Sequence, residues 1–462
     1  FFVFLHLIQS KIYIMMKIFR FGLLLLALCF SVGSMAQVNK WQDIYKVKKK
    51  DTLFGITKKY GITLPELMDA NPVMKTQGYE LKKGDTIFIP FAKPKEEQKQ
   101  TPIQPSSTRK STDPVRIGVM LPLHDVDGDG KRMIEYYRGI LMACDSLRAA
   151  GISTDVKAWN LPIDGDAAKV VGMSGAADCD IIFGPLYTPQ VKQMADFCKE
   201  KGIKLVIPFS ISSDEVMKNV NVFQIYQTKD QINNASINAF LERFPNHHAV
   251  FIDCNDTTSN KGIFTFGLRN KLENKGRKYS ITNLRNSEEL FAKAIFKSQP
   301  NVVVLNTGRS PELNVAMAEL NSLVANNPNI SISLFGYTEW LMYTKYQLAN
   351  FHKFDTYIPT TFYYNALNYK TTSLEKSYRR WFSEDMQNSL PRFALTGYDH
   401  CQYFVRGIRM FGEKFWGTRD QDIYSSLQTP LYFRRMPTGG MQNESFMLIH
   451  YTKDNGLESI TY

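Results

Sequence analysis

The spacing of apolar and polar residues changes near residue 114 of this 462-residue chain. Between residues 45 and 90 the apolar stretches are short and clearly bounded. The elements predicted there are a strand at residues 45–48, a helix from 52 to 60, a helix from 63 to 70 and a strand at residues 86–89. This segment is therefore predicted to fold as a compact strand–helix–helix–strand unit.

From residue 115 onward, apolar strands alternate with helical stretches, which is typical of parallel sheets covered by helices. In the first half the predicted strands are residues 115–121, 154–159, 180–183 and 204–207, and the helices are residues 135–149 and 189–200. In the second half the predicted strands are residues 248–253, 279–284, 301–306 and 330–335. The pattern predicts an α/β fold with two doubly wound parallel sheets, arranged as two lobes around a cleft.

Residues 91–113 differ in composition from both of these regions. They contain several prolines and almost no apolar residues, so they cannot bury a core of their own. We expect this segment to be a flexible linker.

Residues 1–36 carry the features of an export signal. Lys17 and Arg20 precede an apolar stretch at residues 21–30 that is too short to span a bilayer, and residues 34–36 form a small-residue cleavage site. We expect translation to begin at residue 15 or 16, after upstream sequence, and the mature chain to begin near Gln37. No later segment holds about 18 continuous apolar residues, so no membrane span is expected after cleavage.

The distribution of charge disfavours a nucleic-acid-binding protein, and the cysteine content disfavours a fold held by disulfides. The formal net charge of +12 is spread along the chain, so no nucleic-acid partner is expected. The cysteines after residue 36 are odd in number and contain no C-x-x-C pair, so no disulfide framework is expected: Cys144, Cys179, Cys198, Cys254 and Cys401.

Catalytic and metal-binding motifs have little support. Residues 125–130 (Asp-Val-Asp-Gly-Asp-Gly) imitate the start of a calcium loop, but Tyr136 stands where such a loop needs a bidentate glutamate. No nucleophile elbow, zinc-peptidase motif or phosphate-binding loop occurs in the required context. His400, which belongs to no ligand cluster, is interpreted as structural. We therefore predict no catalytic residue, no metal and no cofactor.

Residues 45–56 follow the pattern Tyr-x-Val-x-x-x-Asp-Thr-Leu-x-x-Ile, and residues 81–90 follow Leu-x-x-Gly-Asp-x-Ile-x-Ile-Pro. With Asn-Pro at residues 71–72, this segment resembles a LysM domain over its whole length. The resemblance implies binding of N-acetylglucosamine-containing glycans, chiefly peptidoglycan and chitin, in a shallow groove. By position the groove residues would be Asp51, Thr52, Leu53 and Phe54 on one wall and Asn71, Pro72 and Val73 on the other. Asp51 fits a helix cap equally well, and Leu53 fits a core position.

The large region carries Ile-Gly-Val-Met-Leu-Pro-Leu at residues 117–123 and Asp-Ile-Ile-Phe-Gly-Pro-Leu at residues 180–186. These motifs, with candidate crossings between lobes at residues 222–227 and 357–361, resemble type I periplasmic binding proteins of the branched-chain-amino-acid-binding kind. The likeness covers roughly residues 115–420, and we assign residues 114–462 to this domain.

In such folds, ligands contact loops at the carboxyl ends of the strands. By position the candidate cleft residues are Leu186, Tyr187, Thr188, Ser210, Ser212, Tyr226, Gln227 and Tyr337. Tyr187 and Phe209 are bulky where amino-acid binders usually place small residues, which disfavours an amino-acid ligand.

The sequence thus predicts a non-catalytic, wall-associated protein of a Gram-negative periplasm. Its partners would be peptidoglycan and either a small molecule or a protein. The alternative is an envelope assembly factor that regulates peptidoglycan synthesis, similar to the activators of penicillin-binding proteins, whose partner would be a cell-wall synthesis protein. A peptidoglycan hydrolase is disfavoured because no catalytic carboxylate pair, Cys/His pair or metal site can be named.

Overall fold

The computed structural model describes residues 43–49, 51–60, 62, 64–75, 79, 81–90, 113–209 and 213–462. The expected signal segment at residues 1–36, linker residues 91–112, and the candidate cleft residues Ser210 and Ser212 lie outside the described residues. Contacts within the chain separate a small unit, which ends at Gln104, from a large unit at Pro105–Tyr462.

The small unit has the predicted order of elements. These are strand β1 (Asp43–Lys46), helix α1 (Leu53–Tyr60), helix α2 (Leu64–Ala70), a 3-10 turn (Pro72–Lys75) and strand β2 (Thr86–Ile89). The two strands pair antiparallel, with Tyr45 opposite Ile87. Apolar side chains from both helices, the 3-10 turn, strand β2 and the connecting segments form one core: Val47, Ile56, Ile62, Leu67, Met74, Ile87 and Ile89.

In the described part of the large unit, fourteen strands form two sheets. The strands are β3 (Val115–Leu121), β4 (Thr154–Asn160), β5 (Ile181–Phe183), β6 (Lys204–Ile207), β7 (Val222–Gln224), β8 (His248–Asp253), β9 (Tyr279–Asn283), β10 (Asn301–Leu305), β11 (Ile332–Phe335), β12 (Thr356–Thr360), β13 (Phe433–Arg435), β14 (Met441–Asn443), β15 (Met447–Tyr451) and β16 (Leu457–Thr461).

Ten α-helices are described in the large unit. They are α3 (Gly128–Ala149), α4 (Ala167–Val171), α5 (Thr188–Lys201), α6 (Lys229–Arg243), α7 (Gly262–Asn274), α8 (Glu288–Lys293), α9 (Ser310–Asn326), α10 (Thr344–Lys353), α11 (Tyr369–Phe382) and α12 (Phe393–Phe411). Helix α3 begins earlier than the predicted Glu135, because the Asp127 side chain accepts a hydrogen bond from the Gly130 amide at 2.8 Å and caps the first turn. Among the described residues, no helix is long and apolar enough to cross a membrane.

The sheets define two lobes and confirm the predicted α/β class. In lobe 1 the strand order is β13-β14-β7-β6-β5-β3-β4, and in lobe 2 it is β16-β15-β12-β11-β10-β8-β9. Most neighbours are parallel, as predicted, but β13 pairs antiparallel with β14, and β15 pairs antiparallel with both β12 and β16. The antiparallel edges come from the C-terminal part of the chain, which adds one two-stranded hairpin to each sheet: β13 with β14, and β15 with β16.

Three of the described chain segments pass between the lobes. Residues 225–228 and 361–368 lie near the two predicted crossings, and residues 444–446 form a third that the sequence did not indicate. Buried amide side chains join the first and third segments. Gln227 Nε2 donates to the Ser445 carbonyl at 2.7 Å, and Asn443 Nδ2 donates to the Ile225 carbonyl at 3.0 Å. These bonds hold two of the crossings side by side.

Helices α3 and α12 lie against each other at very short range in lobe 1. A Cβ atom added to Gly139 would lie 2.0 Å from the Ala394 carbonyl oxygen, and one added to Gly397 would lie 2.0 Å from the Tyr136 carbonyl oxygen. Glycine is therefore required on both sides of this contact. The close approach fixes the position of α12, which carries residues of the site described below.

Candidate ligand-binding sites

The first candidate site is the groove predicted in the small unit. On one wall, the Lys48 amide and the Tyr45 hydroxyl donate to Asp51 Oδ2 at 2.7 and 2.8 Å, and these bonds lower the pKa of that carboxyl. Thr52 Oγ1 accepts from the Gly55 amide at 3.0 Å and so caps helix α1. Leu53 is half-buried against the core, and Phe54 lies in the same helix. The two polar side chains of this wall thus stabilise their own loop.

On the opposite wall, Asn71 is 8% exposed and its side-chain amide is fully engaged. Asn71 Nδ2 donates to the carbonyls of Leu67 and Phe88 at 2.9 and 2.8 Å, and Oδ1 accepts from the Phe88 amide at 2.8 Å. The side chain thereby joins helix α2 to strand β2. Pro72 is exposed and Val73 is 68% exposed, so these two residues present the accessible surface of this wall.

The second candidate site is a cavity of about 850 Å³ between the lobes of the large unit. It is lined by residues that follow the carboxyl ends of β6, β11 and β12, by the first turns of α6 and α7, and by the crossing segments. Parallel strands of a doubly wound sheet direct their carboxyl ends to this position. The volume lies within the usual range for a small-molecule site.

Three of the candidate cleft residues line this cavity: Tyr226, Gln227 and Tyr337. Tyr226 is exposed, whereas the other two use their polar atoms internally. The amide nitrogen of Gln227 holds the third crossing, and the Tyr337 hydroxyl donates to the Leu305 carbonyl at 2.6 Å. Tyr337 therefore presents its ring rather than its hydroxyl group.

Leu186, Tyr187 and Thr188 are not among the residues that line the cavity. Leu186 packs against the lobe 1 core, and Thr188 begins helix α5. The Tyr187 hydroxyl donates to Asp129 Oδ2 at 3.2 Å, and burial, together with this carboxylate, raises the pKa of Tyr187 to about 12. These three residues therefore pack within lobe 1 and do not line the cavity.

The acidic side chains of the loop at residues 125–130 also form their contacts within lobe 1. Asp127 caps α3, and Asp129 forms an ion pair with Arg132 in addition to its bond from Tyr187. In the part of the chain that the structure describes, no group of three or more His, Cys, Asp or Glu side chains is arranged to hold a metal ion.

Sequence reasoning missed much of the lobe 1 wall. Phe209, which the sequence placed at the cleft, lines the cavity there together with three residues that it did not indicate: Phe393, His400 and Thr429. His400 is 1% exposed, its Nδ1 lies 2.9 Å from the Tyr136 hydroxyl, and burial lowers its pKa to about 3. The bond to Tyr136 agrees with a structural role, but the position in the cavity wall was not predicted.

Two polar atoms in this wall are buried without a hydrogen-bond partner among the described residues. They are His400 Nε2 and the Thr429 hydroxyl. An unpartnered buried polar group costs about 1–3 kcal/mol, so such groups are uncommon in folded proteins. Both residues line the same cavity.

Asp399 holds Thr429 in the wall. This fully buried carboxylate accepts hydrogen bonds from the backbone amides of Leu427, Gln428 and Thr429, each at 2.8–2.9 Å, and from the Tyr424 hydroxyl at 2.8 Å. Burial raises the pKa of Asp399 to about 6, against the opposing effect of these bonds. Its four donors fix the segment that precedes β13.

Asp399→Asn tests this role at nearly constant volume. We expect the free energy of unfolding to fall by roughly 2 kcal/mol, because an amide NH₂ would face backbone donors in place of an acceptor. Chemical denaturation of the purified protein measures the change. The control is Asp422→Asn at an exposed position where the carboxylate accepts one bond of 3.3 Å from the Tyr424 amide. Equal stability of the two variants would contradict the role given to Asp399.

Comparison with known proteins agrees with this architecture. Residues 45–90 match the LysM domain family. Similar solved structures include a putative branched-chain amino acid ABC transporter from Rhodospirillum rubrum, with 14% identity and a TM-score of 0.52. Another is an ABC transporter substrate-binding protein from Desulfitobacterium hafniense in complex with Leu, with 14% identity and a TM-score of 0.43. Each match covers 75% of this chain and 100% of the other chain.

No curated protein matches the chain. The fold and the sites define the class of protein: one chain holds a small βααβ module and a two-lobed α/β unit that has a cavity between its lobes. The module at residues 45–90 is a LysM domain, and the large unit has the fold of the type I periplasmic binding proteins.

Proposed function

We propose that this chain is a non-catalytic binding protein of the Gram-negative cell envelope, exported through a cleaved signal peptide. In this proposal residues 45–90 bind peptidoglycan, residues 91–113 form a flexible linker, and residues 114–462 bind a small molecule or a protein. The cavity of about 850 Å³ at the carboxyl ends of strands from both sheets carries the proposal.

The peptidoglycan part of the proposal rests on the LysM match and on the accessible surface of the groove. We propose that Val73, Pro72 and Leu53 contact the apolar faces of the sugar rings. Thr52 and Asp51 would contribute by holding the loop, as their hydrogen bonds to neighbouring residues indicate.

Val73→Glu tests peptidoglycan binding without disturbing the fold, since the Val73 side chain is 68% exposed. We expect at least tenfold weaker co-sedimentation of the full-length mature protein with purified peptidoglycan. The matched control is Val126→Glu, which adds the same charge at a position of the large unit that is 85% exposed. Wild-type binding by Val73→Glu would contradict the proposed groove. An equal loss in both variants would indicate electrostatic adhesion instead.

A second candidate function, the envelope assembly factor, is favoured by exposed apolar side chains at the cavity. Ile263 is 70% exposed and Met342 is 57% exposed, and both line the cavity on the lobe 2 side. Apolar groups at such a position suit a protein partner as well as a small ligand. Stoichiometric capture of a cell-wall synthesis protein by the wild type, and its loss in Ile263→Asp, would favour this alternative.

A further inference from the structure

The two walls of the cavity differ in charge. Its charged lining residues belong to lobe 2 or to the start of α6: Lys229, Asp230, Lys261 and Glu339. Lys261 Nζ and Glu339 Oε1 lie 2.5 Å apart and neutralise each other. On the lobe 1 side the cavity is lined by aromatic, aliphatic and uncharged polar groups.

His400 lies in this uncharged wall, and its Nε2 atom is buried without a partner among the described residues. Among the described residues, the Tyr136 hydroxyl has a single hydrogen-bond partner, His400 Nδ1, at 2.9 Å. Tyr136 is fully buried, and burial keeps its hydroxyl protonated by raising its pKa well above the ordinary value. Since Nδ1 is the acceptor within reach of the hydroxyl proton, the tautomer that satisfies this proton carries the single proton of the neutral imidazole on Nε2.

Thr429 supplies a second group to the same wall. Its backbone amide is engaged by Asp399, but its hydroxyl is buried without a partner among the described residues. A hydroxyl group can both donate and accept, whereas the His400 Nε2–H only donates. Together they match an oxygen atom of a carbonyl or hydroxyl group.

Aromatic rings complete this part of the cavity. Phe209 and Phe393 line it with their ring centroids 5.7 Å apart in an edge-to-face arrangement. Rings in this arrangement offer apolar surface to a flat molecule. A carboxylate or an ammonium group placed here would be taken out of water without an opposite charge beside it, which is strongly unfavourable.

We infer that His400 and Thr429 form a subsite for an uncharged carbonyl or hydroxyl group of the ligand, with Phe209 and Phe393 against an apolar ring of that ligand. This inference rests on the proposed ligand-binding function of the same cleft. It selects an uncharged ring compound over a zwitterionic amino acid.

The experiment compares four ring compounds that differ only in the attached group: benzamide, benzyl alcohol, benzoate and benzylamine. Their binding to the full-length mature protein is measured by ligand-observed saturation-transfer NMR, which detects weak binding. For the wild type we expect dissociation constants at least fivefold lower for benzamide and benzyl alcohol than for the two charged compounds.

Thr429→Val then removes the hydroxyl without breaking an internal hydrogen bond of that group. We expect at least fivefold weaker binding of benzamide and an unchanged unfolding midpoint. The matched control is Thr371→Val, because the Thr371 hydroxyl is also buried without a partner among the described residues but lies outside the cavity lining. It should leave both the binding and the midpoint unchanged.

Tighter binding of the charged compounds, or equal benzamide binding by wild type and Thr429→Val, would overturn the subsite. Binding of those compounds elsewhere in the cleft would leave the proposed function standing. The absence of binding by all four compounds would also overturn the subsite. The proposed function would then be decided separately, by whether the exported protein carries any molecule.

Discussion

Gly139→Val is expected to destabilise the large unit strongly and to lower its unfolding midpoint. The new Cβ would lie 2.0 Å from the Ala394 carbonyl oxygen on helix α12. Because the opposing atom belongs to the backbone, no side-chain rotation relieves the overlap, and the two helices would have to separate. Overpacking of this kind costs on the order of 3 kcal/mol or more, a large fraction of the 5–15 kcal/mol that stabilises a typical protein.

Circular dichroism, thermal unfolding and the yield of soluble protein measure this effect. The matched control is Gly262→Val, since a Cβ at Gly262 would meet no atom within 4 Å. That variant should keep the wild-type midpoint to within a few degrees. A Gly139→Val protein as stable as the control would show that the contact between α3 and α12 is looser than described.

Asn71→Leu is expected to unfold the LysM domain while leaving the large unit folded. The substitution keeps the number and branching of the side-chain heavy atoms but removes three hydrogen bonds, two to Phe88 and one to Leu67. At roughly 1 kcal/mol for each hydrogen bond, the free energy of unfolding of the domain falls by about 3 kcal/mol. A unit of this size buries a small core, so its free energy of unfolding is low.

Hydrogen exchange of the full-length mature protein separates the two units. In Asn71→Leu we expect fast exchange throughout residues 45–90 and unchanged protection of strands β3 to β12. Val73→Leu, at the exposed neighbouring position, should exchange like the wild type. Continued protection of β2 in Asn71→Leu would mean that the Asn71 side chain contributes little to the fold.

The sequence predicted those parts of the fold whose strands are continuous apolar runs. Strands β6 and β8 match their predicted bounds, and each is buried along most of its length. Strand β14 could not be found in this way, since two of its three residues are Gln442 and Asn443. Their buried amides bond to the first crossing, and a polar residue with a buried partner gives no apolar pattern.

For the same reason, only some residues of the cavity between the lobes could be predicted from the sequence. Tyr226 lies in the first crossing and Tyr337 follows the end of strand β11, so the fold resemblance alone brings them to the cavity. His400 and Thr429 reach the wall through contacts between distant segments: Tyr136 with His400, and Asp399 with the Thr429 amide. No local spacing encodes such contacts, and a buried histidine on a helix has the same sequence pattern whether or not it faces a cavity.

Native mass spectrometry of the intact protein, purified from the envelope of the producing cell, tests most directly that the cleft is a ligand-binding site. We expect the wild-type protein to carry the extra mass of one small molecule, which is released on denaturation and is depleted in Thr429→Val. The bare protein mass in every preparation, or a protein partner retained equally by wild type and Thr429→Val, would contradict the account.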